Sequence, residues 1–278
     1  MLYLAFVIIT LIWLVFACFT DLKKREVPNW LSYSLILIGL GGRLIYGIIL
    51  SNSEPFLYGL FGFGVFFIFS NLMYYSKQWG GGDGKLLMGL GAIYGDYDNL
   101  FHANLYFPFL VEFLINLAVV GAVFGFMWSL FLGVRNYNKL KKYILKQNLK
   151  AYIVFFILIF ILSLIPIYFM KELYLFAIII PLMFLVLFFI QCIDKSCMYK
   201  YLKPTGLTEG DWIAEEVKVN GKLIVGPKNL CITQKQIEII KQSNIKQVLV
   251  KDGIPFVPAF LIAFLITVFI GNLALYFF

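Results

Sequence analysis

Two aspartates stand out in a chain that otherwise avoids charge. Asp21 in "CFTDLKKREVPNW" and Asp83 in "KQWGGGDGKLLMGLG" each lie at the edge of an apolar run. Two carboxylates brought close in a poorly solvated place share one proton, because like charges a few ångströms apart cannot both ionise. The ionised partner then draws a proton from water while the neutral one donates to a carbonyl, which is peptide hydrolysis with neither a metal nor a covalent intermediate. Gly80, Gly81 and Gly82 carry no Cβ, so a helix or an extended peptide can approach the backbone there. The same residues also fit a plainer arrangement: a glycine-rich turn with Asp83 as N-cap, Lys85 at the interface, and Asp21 as an ordinary charge after a span.

The elements that must position these acids belong in a membrane. Of 278 residues, 62% are hydrophobic and 14% charged, far from the usual globular mix. Apolar runs cover Leu2–Phe19, Trp30–Leu50, Phe56–Tyr75, Leu105–Leu132, Ala151–Phe169, Leu173–Ile193 and Pro258–Phe278, with a shorter one at Lys85–Tyr94. The expected class is therefore an all-α polytopic membrane protein of about eight spans, one of them short, with a small cytoplasmic α+β insert before the last span. The first run lacks a basic n-region and a small-residue cleavage site, so it reads as a true first span. The short piece crosses only if the bilayer thins or neighbours shield its ends; otherwise it is a half-helix packed inside protein.

Lysine and arginine positions set the orientation, since basic loops stay in the cytoplasm. Lys23, Lys24, Arg25, Lys77, the cations from Arg135 to Lys150 and ten lysines between Asp194 and Gly253 fall on one side if the short piece crosses. The alternate loops, Ser51–Pro55, Gly95–Asn104 and Met170–Leu173, hold only Lys171. Both termini are then outside, and both aspartates sit at the cytoplasmic boundary. The expected organisation is a catalytic membrane core over 1–134, a basic cytoplasmic loop over 135–150, a transmembrane hairpin over 151–193, the α+β domain over 194–253 and a final helix over 254–278. Within the insert, "EEVKVNGKLIVGP" reads as a hairpin turning at Asn220-Gly221, "ITQKQIEIIKQ" as a short helix capped by Thr233, and "IKQVLV" as a strand.

Other polar residues get structural readings. Arg43, toward the outer end of the second run, is expected to snorkel to the interface. Glu112 and Asn116, one helical turn apart in the fifth run, are expected to make an interhelical hydrogen bond. Cys18, Cys192, Cys197 and Cys231 form no CxxC pair and the single His102 has no ligand neighbour in sequence, so neither a metal nor another cofactor is expected. The net charge of +8 is distributed over membrane-flanking loops and does not call for a nucleic-acid partner.

The order Asp21, then "VPNW" at Val27–Trp30, then "GGGDGKLLMGLGA" at Gly80–Ala92 resembles the GxGD membrane aspartyl proteases of the prepilin peptidase family. The match is closest to the archaeal branch, the preflagellin (archaellin) and prepilin peptidases, and "GLTEGDWIAEEV" (Gly206–Val217) and "GIPFVPAF" (Gly253–Phe260) look like that branch too. The resemblance implies that Asp21 and Asp83 are the catalytic pair, with Gly80 and Gly82 the motif glycines. It implies cleavage of class III signal peptides from membrane-anchored archaellin or prepilin precursors at the cytoplasmic face of the cell membrane. The bacterial branch commonly adds a cysteine-tetrad domain and methylates the new N-terminus; without such a tetrad, no methyl transfer is expected here. Pro255 and Pro258 resemble the proline-containing motif of related intramembrane proteases, and fit equally the start of the last helix. Glu209, Asp211, Glu215 and Glu216 are candidates for attracting a basic leader, or simply a solvated face. Two other classes keep the same sequence features: a transporter using intramembrane acids such as Asp83 and Glu112, and a non-catalytic assembly factor for surface filaments.

Overall fold

The structure is a computed structural model and describes residues 2–96, 107–169, 174–229 and 231–276. His102, Lys171 and most of the two loops that contain them lie outside the described residues. The first five helices are α1 (Leu2–Lys24), α2 (Asn29–Leu50), α3 (Glu54–Tyr75), α4 (Gly81–Tyr94) and α5 (Phe109–Arg135). They are followed by α6 (Tyr137–Lys146), α7 (Leu149–Phe169) and α8 (Tyr174–Cys197). After the insert come α9 (Gln234–Lys241) and α10 (Val257–Phe269). The chain divides into two compact units, Met1–Gly125 with Gly253–Phe278, and Phe126–Asp252.

In the first unit the ordinary inside-out rule is reversed at the rim. Ile8, Ile12, Ile45, Ile48, Phe61 and Ile68 are exposed, the pattern of helices whose outer faces meet lipid rather than water. Five described helices are long and apolar enough to cross a membrane, or six if α6 and Leu149–Ile165 form one bent span. The expected eight is not reached by this measure, and two helices account for the difference. α4 has 14 residues, a rise of about 21 Å against about 30 Å of hydrocarbon. The last span, expected to run to Phe278, stops as a helix at Phe269.

α4 is short because it is internal. Leu86, Leu87, Leu90, Ala92, Ile93 and Tyr94 are all essentially unexposed, so the helix is wrapped by protein on nearly every side. Its closest neighbour is α3, where a Cβ on Gly62 would run into the Gly91 carbonyl and one on Gly91 into the Gly62 carbonyl. Such backbone contact between helices is how membrane helices gain packing without a hydrophobic drive between them. Tyr94 at its end donates its hydroxyl to Thr10 Oγ1 on α1 at 2.9 Å.

Arg43 departs from expectation. Its side chain is 0% exposed and does not reach the interface. Nε donates to the Ile93 carbonyl at 3.0 Å, Nη1 to the Pro55 carbonyl at 3.0 Å, and Nη2 both bonds Ile93 O and pairs with Asp96. The physical reason is the short helix. A helix that ends at membrane depth leaves carbonyls with no intrahelical partner and no water, and a buried guanidinium satisfies them while facing the negative end of the helix dipole.

α10 closes the unit. Asn116 Nδ2 donates to Thr267 Oγ1 at 2.9 Å and to the Gly271 carbonyl at 2.7 Å, and Asn116 Oδ1 accepts the Leu273 N–H at 2.9 Å. That is the interhelical bond anticipated for this residue. Gly271, at φ +94°, provides the left-handed residue that ends the helix, with its N–H returning to Ile266 O at 2.9 Å. Glu112 Oε1 accepts the Phe107 N–H at 3.0 Å before α5 begins.

In the second unit, the stretch expected as a basic loop contains α6, set at 82° to the following helix. α7 and α8 pair through ring contacts such as Tyr152 with Phe188 (centroids 4.4 Å) and through Ser163 Oγ donating to Ala177 O at 3.2 Å. The insert then forms β1 (Tyr199–Leu202), β2 (Trp212–Ile213), β3 (Val217–Val219), β4 (Lys222–Val225) and β5 (Val248–Lys251). β5 is central, antiparallel to both β1 and β2, while β3 and β4 make a hairpin. The hairpin turns at Asn220 (φ +51°) and Gly221 (φ +78°), the pair of positive angles that an Asn-Gly turn supplies. α9 packs Ile237 and Ile240 onto Ile213, Val248 and Val250, and Thr233 with Gln236 forms its capping box. Lys251 pairs with Asp194 at the end of α8, 2.7 Å apart.

Candidate active site

Asp21 continues the buried stripe of α1. Phe6, Val7, Thr10, Leu14, Ala17 and Asp21 recur at three- and four-residue steps, so the helix that faces its apolar side inward also delivers this carboxylate inward. The residue is 6% exposed, and its Oδ2 accepts the Val257 N–H at 3.0 Å. Val257 opens α10, so this N–H is one of the helix's unpaired first-turn donors, and an anion beside it also meets the positive end of the dipole.

Asp83 lies at the other end of the internal helix. Gly80 precedes α4 with an extended backbone, and Asp83 Oδ2 reaches back to accept the Gly80 N–H at 3.1 Å. Asp83 is therefore not the N-cap expected from the sequence: Gly80 holds that position, and Asp83, three residues on, ties down the start of the helix through the N-cap's N–H. The half-buried Asp83 is also within electrostatic range of Asp21, and the two carboxylates, one from α1 and one from α4, belong to the same compact unit.

Each glycine has a separate surrounding. A Cβ on Gly82 would sit 3.0 Å from Val27 Cβ, so the α1–α2 connection presses on the helix start there. At Gly81 the nearest atom would be Tyr74 at an ordinary 3.8 Å, and at Gly80 the Asp83 carboxylate at 3.4 Å. Close approach thus constrains Gly82 most. Lys85 Nζ donates to Asn29 Oδ1 at 2.6 Å, beside the Tyr33 ring.

Pro255 and Pro258 are buried, and Pro258 falls in the first turn of α10, where its missing N–H is not required. What reaches Asp21 is the backbone between them. Sequence reasoning missed Val257, because a main-chain donor leaves no side-chain signature, although two prolines bracketing a helix start mark where free N–H groups lie. It also missed Trp79, whose ring packs on Phe69, Phe256 and Phe260 at centroid distances of 5.8, 5.7 and 5.5 Å. An aromatic wall therefore adjoins the glycine run and the α10 entry.

The four acids of the insert belong to the second unit. Asp211 Oδ2 accepts the Thr208 N–H at 2.8 Å, and Glu215 Oε1 accepts the Leu249 N–H at 2.9 Å. Glu216 pairs with Lys218 at 3.0 Å on the surface, and Glu209 is exposed. Among the described residues, no group of three His, Cys, Asp or Glu side chains is placed to hold a metal ion, and none of the four cysteines is in a disulfide.

Residues 8–126 match the model of the type IV leader peptidase family. A preflagellin peptidase from Methanococcus voltae is 32% identical over 148 residues, which is 49% of this chain and 63% of that protein. A preflagellin peptidase from Methanocaldococcus jannaschii is 32% identical over 136 residues, 46% of this chain and 56% of that protein. The chain thus spans less than two thirds of the length of these curated relatives. No solved structure matches it. The matched stretch contains Asp21, "VPNW", the glycine run and Asp83 together, so the chain's similarity to the type IV leader peptidase family covers both aspartates.

Proposed function

We propose that the protein is a membrane-embedded aspartyl endopeptidase that removes class III signal peptides from archaellin or prepilin precursors at the cytoplasmic face of the membrane, without methylating the product. The observation that supports this reading is the placement of Asp21 and Asp83, from two helices of one compact unit, within electrostatic range of each other and with Asp83 at the glycine-rich start of α4. The pair holds one proton. The ionised carboxylate takes a proton from the attacking water as the neutral one donates to the carbonyl oxygen, giving a tetrahedral intermediate. Collapse returns a proton to the leaving amine and resets the pair.

The remaining groups prepare the substrate. A peptide bond within a helix is shielded, so it must be drawn out as extended chain, and the glycine run offers a backbone with no side chains in the way. Trp79 and Phe256 supply an apolar wall for the first residues of the released hydrophobic helix. The substrate is anchored in the same bilayer, so capture is a two-dimensional search. The matches to named preflagellin peptidases support this substrate class. A transport role has less support, since Glu112 is engaged with the backbone before α5.

The test is cleavage of archaellin and pilin precursors by purified wild type, Asp21→Asn and Asp83→Asn. Asparagine retains an oxygen able to accept the Val257 or Gly80 N–H but cannot exchange the proton. Each variant is expected to lose at least about 10²–10⁴-fold in rate while remaining folded. Full activity in either variant removes that residue from the mechanism.

A further inference from the structure

The second unit carries a feature that the peptidase reading does not use. α6 sits at 82° to the apolar helix that follows it. If the following helix crosses a bilayer, a helix at that angle runs along the membrane surface. Beneath it runs a groove of about 350 Å³. Its walls are Leu130, Gly133 and Val134 of α5, Ile144 and Leu145 of α6, and Phe189 of α8. The groove exists because Gly133 has no side chain, which lets Ile193 and Leu140 pack against the α5 backbone and leaves the space beside them open. Val134 is 78% exposed and Leu145 67%, so the groove opens sideways rather than being sealed.

The segment that contributes α6 to the groove has one sign of charge. Between Arg135 and Lys150 there are six cations, Arg135, Lys139, Lys141, Lys142, Lys146 and Lys150, and no acid. All six are exposed and Lys141 itself lines the groove. A solvated helix in a soluble protein would intersperse acids among these lysines. An apolar slot with Lys141 in its wall and five further exposed cations in the adjoining segment is complementary to a molecule with an anionic head and a hydrocarbon tail.

We infer that this groove is a binding site for an anionic membrane lipid, with one acyl chain in the slot and the phosphate met by the lysines of α6. The inference stands on the second unit alone and does not depend on the catalytic assignment.

The experiment uses the full chain in nanodiscs with equal phosphatidylcholine and phosphatidylglycerol, extracted into mild detergent, with retained lipid read by native mass spectrometry. The expected result is one tightly held phosphatidylglycerol, enriched at least about tenfold over phosphatidylcholine. Raising salt to 1 M during extraction should reduce that enrichment on the wild-type protein, because screening shortens to about 3 Å. The combined Lys139→Gln, Lys141→Gln, Lys142→Gln, Lys146→Gln variant should bring the two lipids to near parity. Val134→Trp, at an exposed position, should plug the slot and lower retention of both. Equal retention of the two lipids by the wild type overturns the inference. So does enrichment that survives high salt and both variants, or displacement of the lipid by an apolar peptide at equimolar concentration.

Discussion

At the scale of single residues, the glycine run separates into different tasks. Gly80 supplies the N–H that Asp83 accepts, whereas Gly82 supplies space, since a methyl there would be crowded by Val27 at 3.0 Å. Gly82→Ala gains helix propensity of up to about 1 kcal/mol yet pushes the start of α4 from the α1–α2 connection. The expected outcome is lower cleavage without loss of stability, and recovery in Gly82→Ala with Val27→Ala. A double-mutant cycle on activity should give a coupling of at least about 0.5 kcal/mol, and a coupling near zero would mean that Gly82 acts through something other than this contact. Both aspartates and all three glycines were legible in the sequence, because a charge at the edge of a long apolar run has few reasons to be there. Val257 and Trp79 were not legible, the first because its contribution is a backbone N–H and the second because one tryptophan among many aromatics carries no positional signal.

At the scale of elements, α4 is the part whose placement matters most. Its first turn carries Asp83 and its last residues are held by Arg43, so a change at one end bears on the other. Arg43→Met would leave Asp96 and the Ile93 carbonyl buried without their cation, a loss of about 3–5 kcal/mol. A thermal unfolding measurement in detergent should show the drop, and Arg43→Lys should recover part of it, keeping the charge but not the guanidinium's planar fork of directed bonds. An unchanged midpoint for Arg43→Met would show that α4 is secured by its glycine seam alone. The long helices were readable from apolar runs of sufficient length. The end of α10 was not, because hydrophobicity continues to Phe278 while the helix is stopped by Gly271 and by the side-chain amide of Asn116. α6 was read as a loop because its lysines mask the spacing of Tyr137, Leu140 and Ile144. Arg43 was misplaced for a related reason: from sequence, a cation near the end of a span looks as if it escapes to water, and only the internal helix beside it gives it a buried partner.

For the whole molecule, the membrane unit and the unit holding the insert carry separable questions. The acids once grouped as a leader-attracting cluster divide by what they already do. Asp211 and Glu215 accept backbone N–H groups and belong to the architecture of the insert, leaving Glu209 and Glu216 available at its surface. Asp211→Asn or Glu215→Gln should therefore act on the stability of the insert. Glu209→Gln with Glu216→Gln tests attraction of a basic leader: a salt-dependent rise in KM with kcat unchanged supports it, and unchanged kinetics at low salt removes it.

Trp79 packs face and edge against Phe69, Phe256 and Phe260, next to the glycines and to the turn that bonds Asp21. Of the five tryptophans, Trp13, Trp30, Trp128 and Trp212 can be replaced by phenylalanine to leave a chain with a single indole. Its emission wavelength would then serve as a built-in optical gauge of occupancy, shifting when a precursor displaces water from the wall and standing still when a peptide binds elsewhere. Stopped-flow traces of that signal would separate arrival of the substrate from the hydrolysis that follows it.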